Sequence, residues 1–137
     1  MTPEQRMWLY LRKTIGARWS ADRHENAFGK GMPDTSFGAC GVNGWIELKY
    51  LRSWPKRSGT KVKLKHFTPE QKAWLINRQR FGGHCWLLLK VKTAWLLFHP
   101  KMFPLIGNTA SIELLSLATA KWVGKIDPDE FIQTIVN

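Results

Sequence analysis

The sequence predicts an α/β domain in which helices flank a central β-sheet, and three observations carry that expectation. The signature Thr-Pro-Glu-Gln occurs twice, at residues 2–5 and 68–71, and each copy opens a helix-like segment. Runs rich in β-branched, aromatic and leucine residues, punctuated by glycine turns, lie between and after those segments. The length of 137 residues, 44% of them hydrophobic, suits one domain that buries a normal core without staples.

The first helix starts with Thr2 as cap, Pro3 at the first helical position and Gln5 completing a capping box. Met7, Trp8, Leu11 and Ile15 then recur at helical spacing, and Gly16 marks a stop. Residues 21–26 are read as a short strand carrying Glu25. A glycine-punctuated turn, residues 28–31, leads to strands at 34–39 and 44–51. Gly41-Val42-Asn43-Gly44 joins them as a hairpin, with the turn-forming Asn-Gly pair as the signal. The second helix runs from Thr68 to about Phe81, ahead of Gly82-Gly83. Residues 85–91 and 93–98 read as buried strands of the same sheet, the second stopped by His99-Pro100. Residues 110–120 look helical and peripheral, and Asp127-Pro128-Asp129-Glu130 starts a last helix through Val136. The C-terminal stretch from about residue 100 therefore reads as a helical extension on a core of about residues 20–98. Each Thr-Pro-Glu-Gln is followed by Trp-Leu (Trp8-Leu9, Trp74-Leu75) and then Arg (Arg12, Arg78), but neither the Pro-Asp nor the Glu-x-Lys motif recurs. Shared helix-start chemistry accounts for the likeness, so a repeat fold is not expected.

A net charge of +11 and a pI of about 10.1 favour a polyanionic partner, of which nucleic acid is the usual one. A basic protein associated with the ribosome, or merely soluble, satisfies the same balance. Two cysteines, Cys40 and Cys85, form neither a disulfide framework nor a zinc site and read as small buried or half-buried residues. Residues 1–15 spell a charged helix, not a secretory signal, and Lys90 and Lys92 interrupt the longest apolar stretches. A cytoplasmic location, in a bacterium or a phage-infected host, is expected, with no membrane partner. Most of the eight tryptophans should be core, leaving one or two to stack on bases.

The chemistry concentrates in two motifs: Gly31-Met32-Pro33-Asp34, and Trp45-Ile46-Glu47-Leu48-Lys49. Glu47 and Lys49 leave the same face of a strand, and the hairpin brings Asp34 opposite Glu47. Two carboxylates can hold a hard cation, and an adjacent ammonium can help activate water or stabilise developing negative charge. Lys49 has a competing role as salt-bridge partner of Glu47, and Asp34 as a turn cap. Seven basic and no acidic residues fill 49–65; Arg52, Lys56, Arg57, Lys61, Lys63 and Lys65 are candidates to grip phosphate, against the plain alternative of a solvated loop. Lys61, Lys63 and Lys65 alternate with Val62 and Leu64 as in a short strand.

This order of elements, with Asp34, Glu47 and Lys49 on the signature positions, resembles the PD-(D/E)xK nuclease superfamily. The nearer likeness is to VRR-NUC-type nucleases and to phage and archaeal Holliday-junction resolvases. It rests on Gly-x-Pro-Asp, the Trp-Ile-Glu-Leu-Lys strand and the later Pro-Glu-Gln-x-x-Trp-Leu helix, over roughly residues 20–98. The resemblance implies a mixed, restriction-endonuclease-like sheet. It implies Mg²⁺ or Mn²⁺ held by Asp34, Glu47 and the Leu48 carbonyl, with Lys49 orienting water. It also implies an upstream glutamate, for which Glu25 is preferred over Glu4, because Glu4 is already explained as a helix N-terminal acid. Gln71 matches a glutamine near the site in that group, although its capping-box role competes. His24 and His66 are weaker candidates for phosphate contact.

The expected activity is Mg²⁺-dependent endonucleolytic cleavage of DNA, selective for branched or junction structure, by a possible homodimer using the apolar surplus of the C-terminal third. A non-catalytic nucleic-acid-binding module on the same fold, and a nuclease acting on RNA, remain the alternatives.

Overall fold

A computed structural model describes residues 1–24 and 31–137. Among these residues the sheet has six strands in sequential order: β1 (Ser20–Arg23), β2 (Thr35–Ala39), β3 (Val42–Leu51), β4 (His84–Val91), β5 (Ala94–Phe98) and β6 (Ala120–Val123). All neighbours are antiparallel except β3 and β4, so the sheet is mixed. Helix α1 (Pro3–Ile15) precedes it, α2 (Pro69–Arg80) crosses from β3 to β4, and α3 (Ser111–Leu117) and α4 (Pro128–Ile135) bracket β6. A 3₁₀ segment, Pro100–Leu105, follows β5. None of the helices described is long and apolar enough to cross a membrane.

Both Thr-Pro-Glu-Gln signatures form full capping boxes: Thr2 with Gln5, and Thr68 with Gln71. Helix α1 buries Met7, Leu11 and Ile15 and ends at Gly16, as its spacing predicts. The two helices nevertheless serve different structural roles, because α1 leads into an edge strand and α2 links parallel strands.

Strand β3 divides the core. Ile46 and Leu48 join Phe37, Trp86, Leu88 and Trp95 beneath α1 and α4. On the other face Trp45 and Leu51 pack with Leu87, Leu89 and Phe98, beneath α2, the 3₁₀ segment and α3. The alternation is the strand period of two, and each residue's position on β3 decides its layer.

Five expectations are corrected. The hairpin turns at Cys40-Gly41, with φ of 50° and 81°, and Val42 and Asn43 already belong to β3. Two consecutive positive φ angles suit the right-handed twist of the strands, and the glycine accepts one of them without cost. Cys40 is consequently exposed, whereas Cys85 is buried and burial pushes its thiol up to about 12. Among the described residues the first strand spans Ser20–Arg23 and stops before His24, and Glu25 and Asn26 lie outside the described residues. The segment around Lys61 is not a sheet strand, since only Lys61 bridges to Ala110.

The largest correction concerns the C-terminal third. It is not a peripheral helical extension: Ala120–Val123 adds β6 to the sheet, and Trp122, Phe131, Ile132 and Ile135 join the core. The Trp86 indole donates to the Ile135 carbonyl (3.0 Å), and the Ile126 N–H donates to the Tyr10 hydroxyl (2.9 Å). The apolar surplus is spent inside, with Leu105, Ile112 and Val123 among the large apolar residues left exposed.

Candidate nuclease site

The hairpin register sets the site. Thr35 pairs with Ile46, so continuing the antiparallel ladder by one residue brings Asp34 opposite Glu47. Directly opposed residues of an antiparallel pair project to the same face. Lys49, two residues beyond Glu47, shares that face, and its Nζ lies 3.2 Å from Glu47 Oε2. Asp34, Glu47 and Lys49 thus converge. The ladder to β2 stops at Ile46, so among the described residues β3 has no strand partner on that side from Glu47 onward. That opening is the condition the Leu48 carbonyl requires to face a ligand.

The glycine of the Gly-x-Pro-Asp segment has a packing reason. Gly31 has φ of 81°, and a Cβ there would collide with the Glu70 carbonyl in the first turn of α2. Only glycine allows this approach. It docks the loop leading to Asp34 against the start of α2 and brings Gln71 into the neighbourhood of the site. The Gln71 carbonyl oxygen is committed to the cap, accepting from the Thr68 N–H at 3.0 Å. Of the two roles weighed for Gln71, the capping one is formed.

Burial dominates the electrostatics. Glu47 is only 5% exposed, and desolvation pushes its carboxyl up to about 7. Lys49 opposes that rise and the charge of Asp34 adds to it, which expresses the closeness of the two acids. Asp34 is also raised by burial, partly offset by Arg23, whose Nη2 donates to Asp34 Oδ2 at 3.1 Å. Two carboxyls that burial holds above the ordinary range, Glu47 raised further by the charge of Asp34, form a site that a bound cation would relieve. The salt bridge between Lys49 and Glu47 is realised as well, so Lys49 is an anchored ammonium.

A third acid faces this region. Glu4, in the first turn of α1, lines a cleft of about 200 Å³ together with Lys49, Tyr50, Lys65 and His66. Its Oε2 is buried with no hydrogen-bond partner among the described residues. Such an orphan costs free energy unless a ligand or ion satisfies it. The preference for Glu25 rests on residues outside the described set, whereas Glu4 has a position in the structure that its helix-terminus role does not explain. Among the described residues no three His, Cys, Asp or Glu side chains form a ready-made cage. The donor set is the Asp34 and Glu47 pair, which suits a small, hard cation that keeps several waters.

Arg23 is the residue that sequence reasoning missed. One nitrogen binds Asp34, while Nη1 is buried with no partner among the described residues. The signal was available only through the register of β1, which pairs Arg23 with Thr35 beside Asp34. His24 sits next to it, with its N–H donating to the Asp34 carbonyl (2.6 Å) and its Nε2 3.0 Å from Ser36 Oγ.

Arg52, Lys56, Arg57, Lys61, Lys63 and Lys65 are all exposed, and His66 is exposed beside them. Among the described residues none of the six cations makes an ion pair, and Lys63 donates to the Gly107 carbonyl at 2.8 Å. None of the eight tryptophans is fully exposed. Trp86, Trp95 and Trp122 are buried, and Trp45 and Trp74, which meet edge to face at 5.6 Å, each carry the Arg78 guanidinium, at 4.6 and 4.4 Å from their ring centres.

No protein-family model matches the chain, and no curated protein matches it. Among solved structures it is similar to Hjc, a Holliday junction resolvase from the archaeal hyperthermophile Archaeoglobus fulgidus. The TM-score is 0.50 and the identity 24%, over 74% of this chain and 78% of that one. The likeness, together with the mixed six-stranded sheet flanked by helices, gives the chain the restriction-endonuclease-like α/β fold.

Proposed function

We propose that this protein is a metal-dependent endonuclease that hydrolyses phosphodiester bonds of DNA and selects branched or junction structures. The observation that carries the reading is the convergence of Asp34, Glu47 and Lys49 on one face at the open end of the β2–β3 hairpin. A net charge of +11 and an exposed run of cations beside that face, without ion pairs among the described residues, support a polyanionic substrate. The fold shared with a junction resolvase supports the choice of branched DNA.

Asp34, Glu47 and the Leu48 carbonyl would hold Mg²⁺ or Mn²⁺, and Glu4 would accept a water of its shell. When bound, the cation supplies charge neutralisation at the scissile phosphate and a lowered pKa for the attacking water. Lys49 orients that water and offers a proton-donating contact to charge developing on the phosphoryl oxygens. Arg23 holds Asp34 in place and shields its charge from Glu47. The cations of the 52–65 segment seat the phosphate backbone, a sequence-independent grip. Two copies acting together would cut two strands of a symmetric substrate.

The test is a cleavage panel in Mg²⁺ with duplex, flap, four-way junction and single-stranded DNA and with RNA, using Glu47→Ala as control. Cutting of branched DNA that disappears in the control is the expected result. Salt-sensitive binding of every substrate with no cutting would leave a binding module, and cutting confined to RNA would change the substrate.

A further inference from the structure

The basic segment at residues 63–65 has two sides. On one lies the cleft that holds Glu4 and Lys49. On the other lies a larger cleft, about 450 Å³, lined by Lys63, Leu64, Lys65, Lys72, Ile106 and Asn108. Lys63, Leu64 and Lys65 border both, so these three residues form a ridge between two basin-like depressions.

The ridge is anchored along its length. Val62 is fully buried and its N–H donates to the Thr109 carbonyl (2.9 Å), Lys61 bridges to Ala110, and the Phe67 N–H donates to the Leu64 carbonyl (3.0 Å). The cations of the outer cleft are partly fixed too. The Lys63 ammonium is held by the Gly107 carbonyl at 2.8 Å, which leaves two of its three donors free. The Lys72 ammonium lies 5.4 Å from the ring centre of Phe67, itself buried edge-on against Phe103. Among the described residues no acid lines this cleft. By contrast, the described residues that line the cleft over β1 and β2 include Asp22, His24 and Ser36 and no Lys or Arg. Three preorganised or nearby ammoniums with no carboxylate make a phosphate site by charge and by donor chemistry.

We propose that the outer cleft binds backbone phosphates of the second strand of a nucleic-acid duplex whose first strand lies over Asp34, Glu47 and Lys49. A single extended segment can enter a duplex groove, about 6 to 12 Å wide, with one backbone on either side. The 63–65 ridge, flanked by a cationic cleft on each side, has that form. The proposal rests on the nuclease reading only for where the first strand lies.

The test compares wild type, Lys72→Gln, Lys72→Arg and Lys125→Gln for binding a 16-base-pair duplex and a single strand of the same sequence, without metal, over a salt series. Lys125 is an exposed lysine outside the ridge and both clefts. Loss of one phosphate contact should weaken duplex binding by roughly five- to tenfold at low salt and reduce the salt slope by about 1. Single-strand binding should stay within about twofold of wild type, Lys72→Arg should restore the duplex affinity, and Lys125→Gln should leave the slope unchanged. Equal weakening of duplex and single strand by Lys72→Gln, or no change in either, overturns the proposal. Cleavage measured in parallel separates the two readings: a chain that cuts nothing but shows the Lys72 effect on duplex keeps this proposal and loses the nuclease.

Discussion

Alternate residues of β3 face two different environments. Ile46 and Leu48 enter an apolar layer beneath α1 and α4, where burial is all stabilisation. Glu47 and Lys49 enter the opposite side nearly as deeply, and there burial costs. Around them lie a raised Asp34, an orphaned Glu4 oxygen and an orphaned Arg23 nitrogen. A stretch of four residues thus contributes to the core with one parity and concentrates desolvated charge with the other. The second set costs stability where the first contributes it, and that difference is what the proposed cation would offset.

Substitutions on the two parities should separate cleanly. The largest effect is on catalysis: Asp34→Ala or Glu47→Ala should lower the cleavage rate on a four-way junction by roughly 10²-fold or more, with near-native circular dichroism. Leu48→Ala should do the reverse, costing about 2–5 kcal/mol in urea unfolding while the folded fraction keeps its rate. If both substitutions struck stability alone, the division between the faces would fail.

The next effect is in pH. Burial raises Glu47 from an ordinary 4.5 to about 7, so the folded state binds this proton more tightly than the unfolded chain. Its contribution to stability is therefore full below about 4.5 and is lost as pH rises through about 7. Wild type should lose on the order of 3 kcal/mol relative to Glu47→Gln between pH 4.5 and 8, read from denaturant unfolding without metal. Parallel pH profiles for the two proteins would show that Glu47 carries no such burden. The smallest effect is at the helix that docks the Gly31 loop: Thr68→Ala removes the cap of α2 and should cost about 1 kcal/mol, with a modest loss of cleavage.

Much of this was legible in the chain, for identifiable reasons. Period-two alternation put Glu47 and Lys49 on one face and a hairpin brought Asp34 to it, but the register was not legible. A turn at Asn43-Gly44 would set Asp34 against Ser53, and only the turn at Cys40-Gly41 sets it against Glu47. The two registers differ by an even number of residues, so the face of Asp34 was right although the assigned turn was not. Capping boxes were legible because they are local. Strand β6 was not: Ala120–Val123 is short, its only buried residue is Trp122, and nothing local distinguishes it from the end of a helix. Arg23 was hidden because its meaning depends on a partner eleven residues away across an unassigned pairing. Lys72 was hidden for the same kind of reason, since its cleft is assembled from three separate segments.

The central claim is that Asp34 and Glu47 together hold one divalent cation. Mn²⁺ titration followed by electron paramagnetic resonance, on wild type, Asp34→Asn and Glu47→Gln without nucleic acid, tests it most directly. Saturable binding by wild type that is lost or severely weakened in each single variant is the predicted result. Unchanged Mn²⁺ binding in either variant would contradict it.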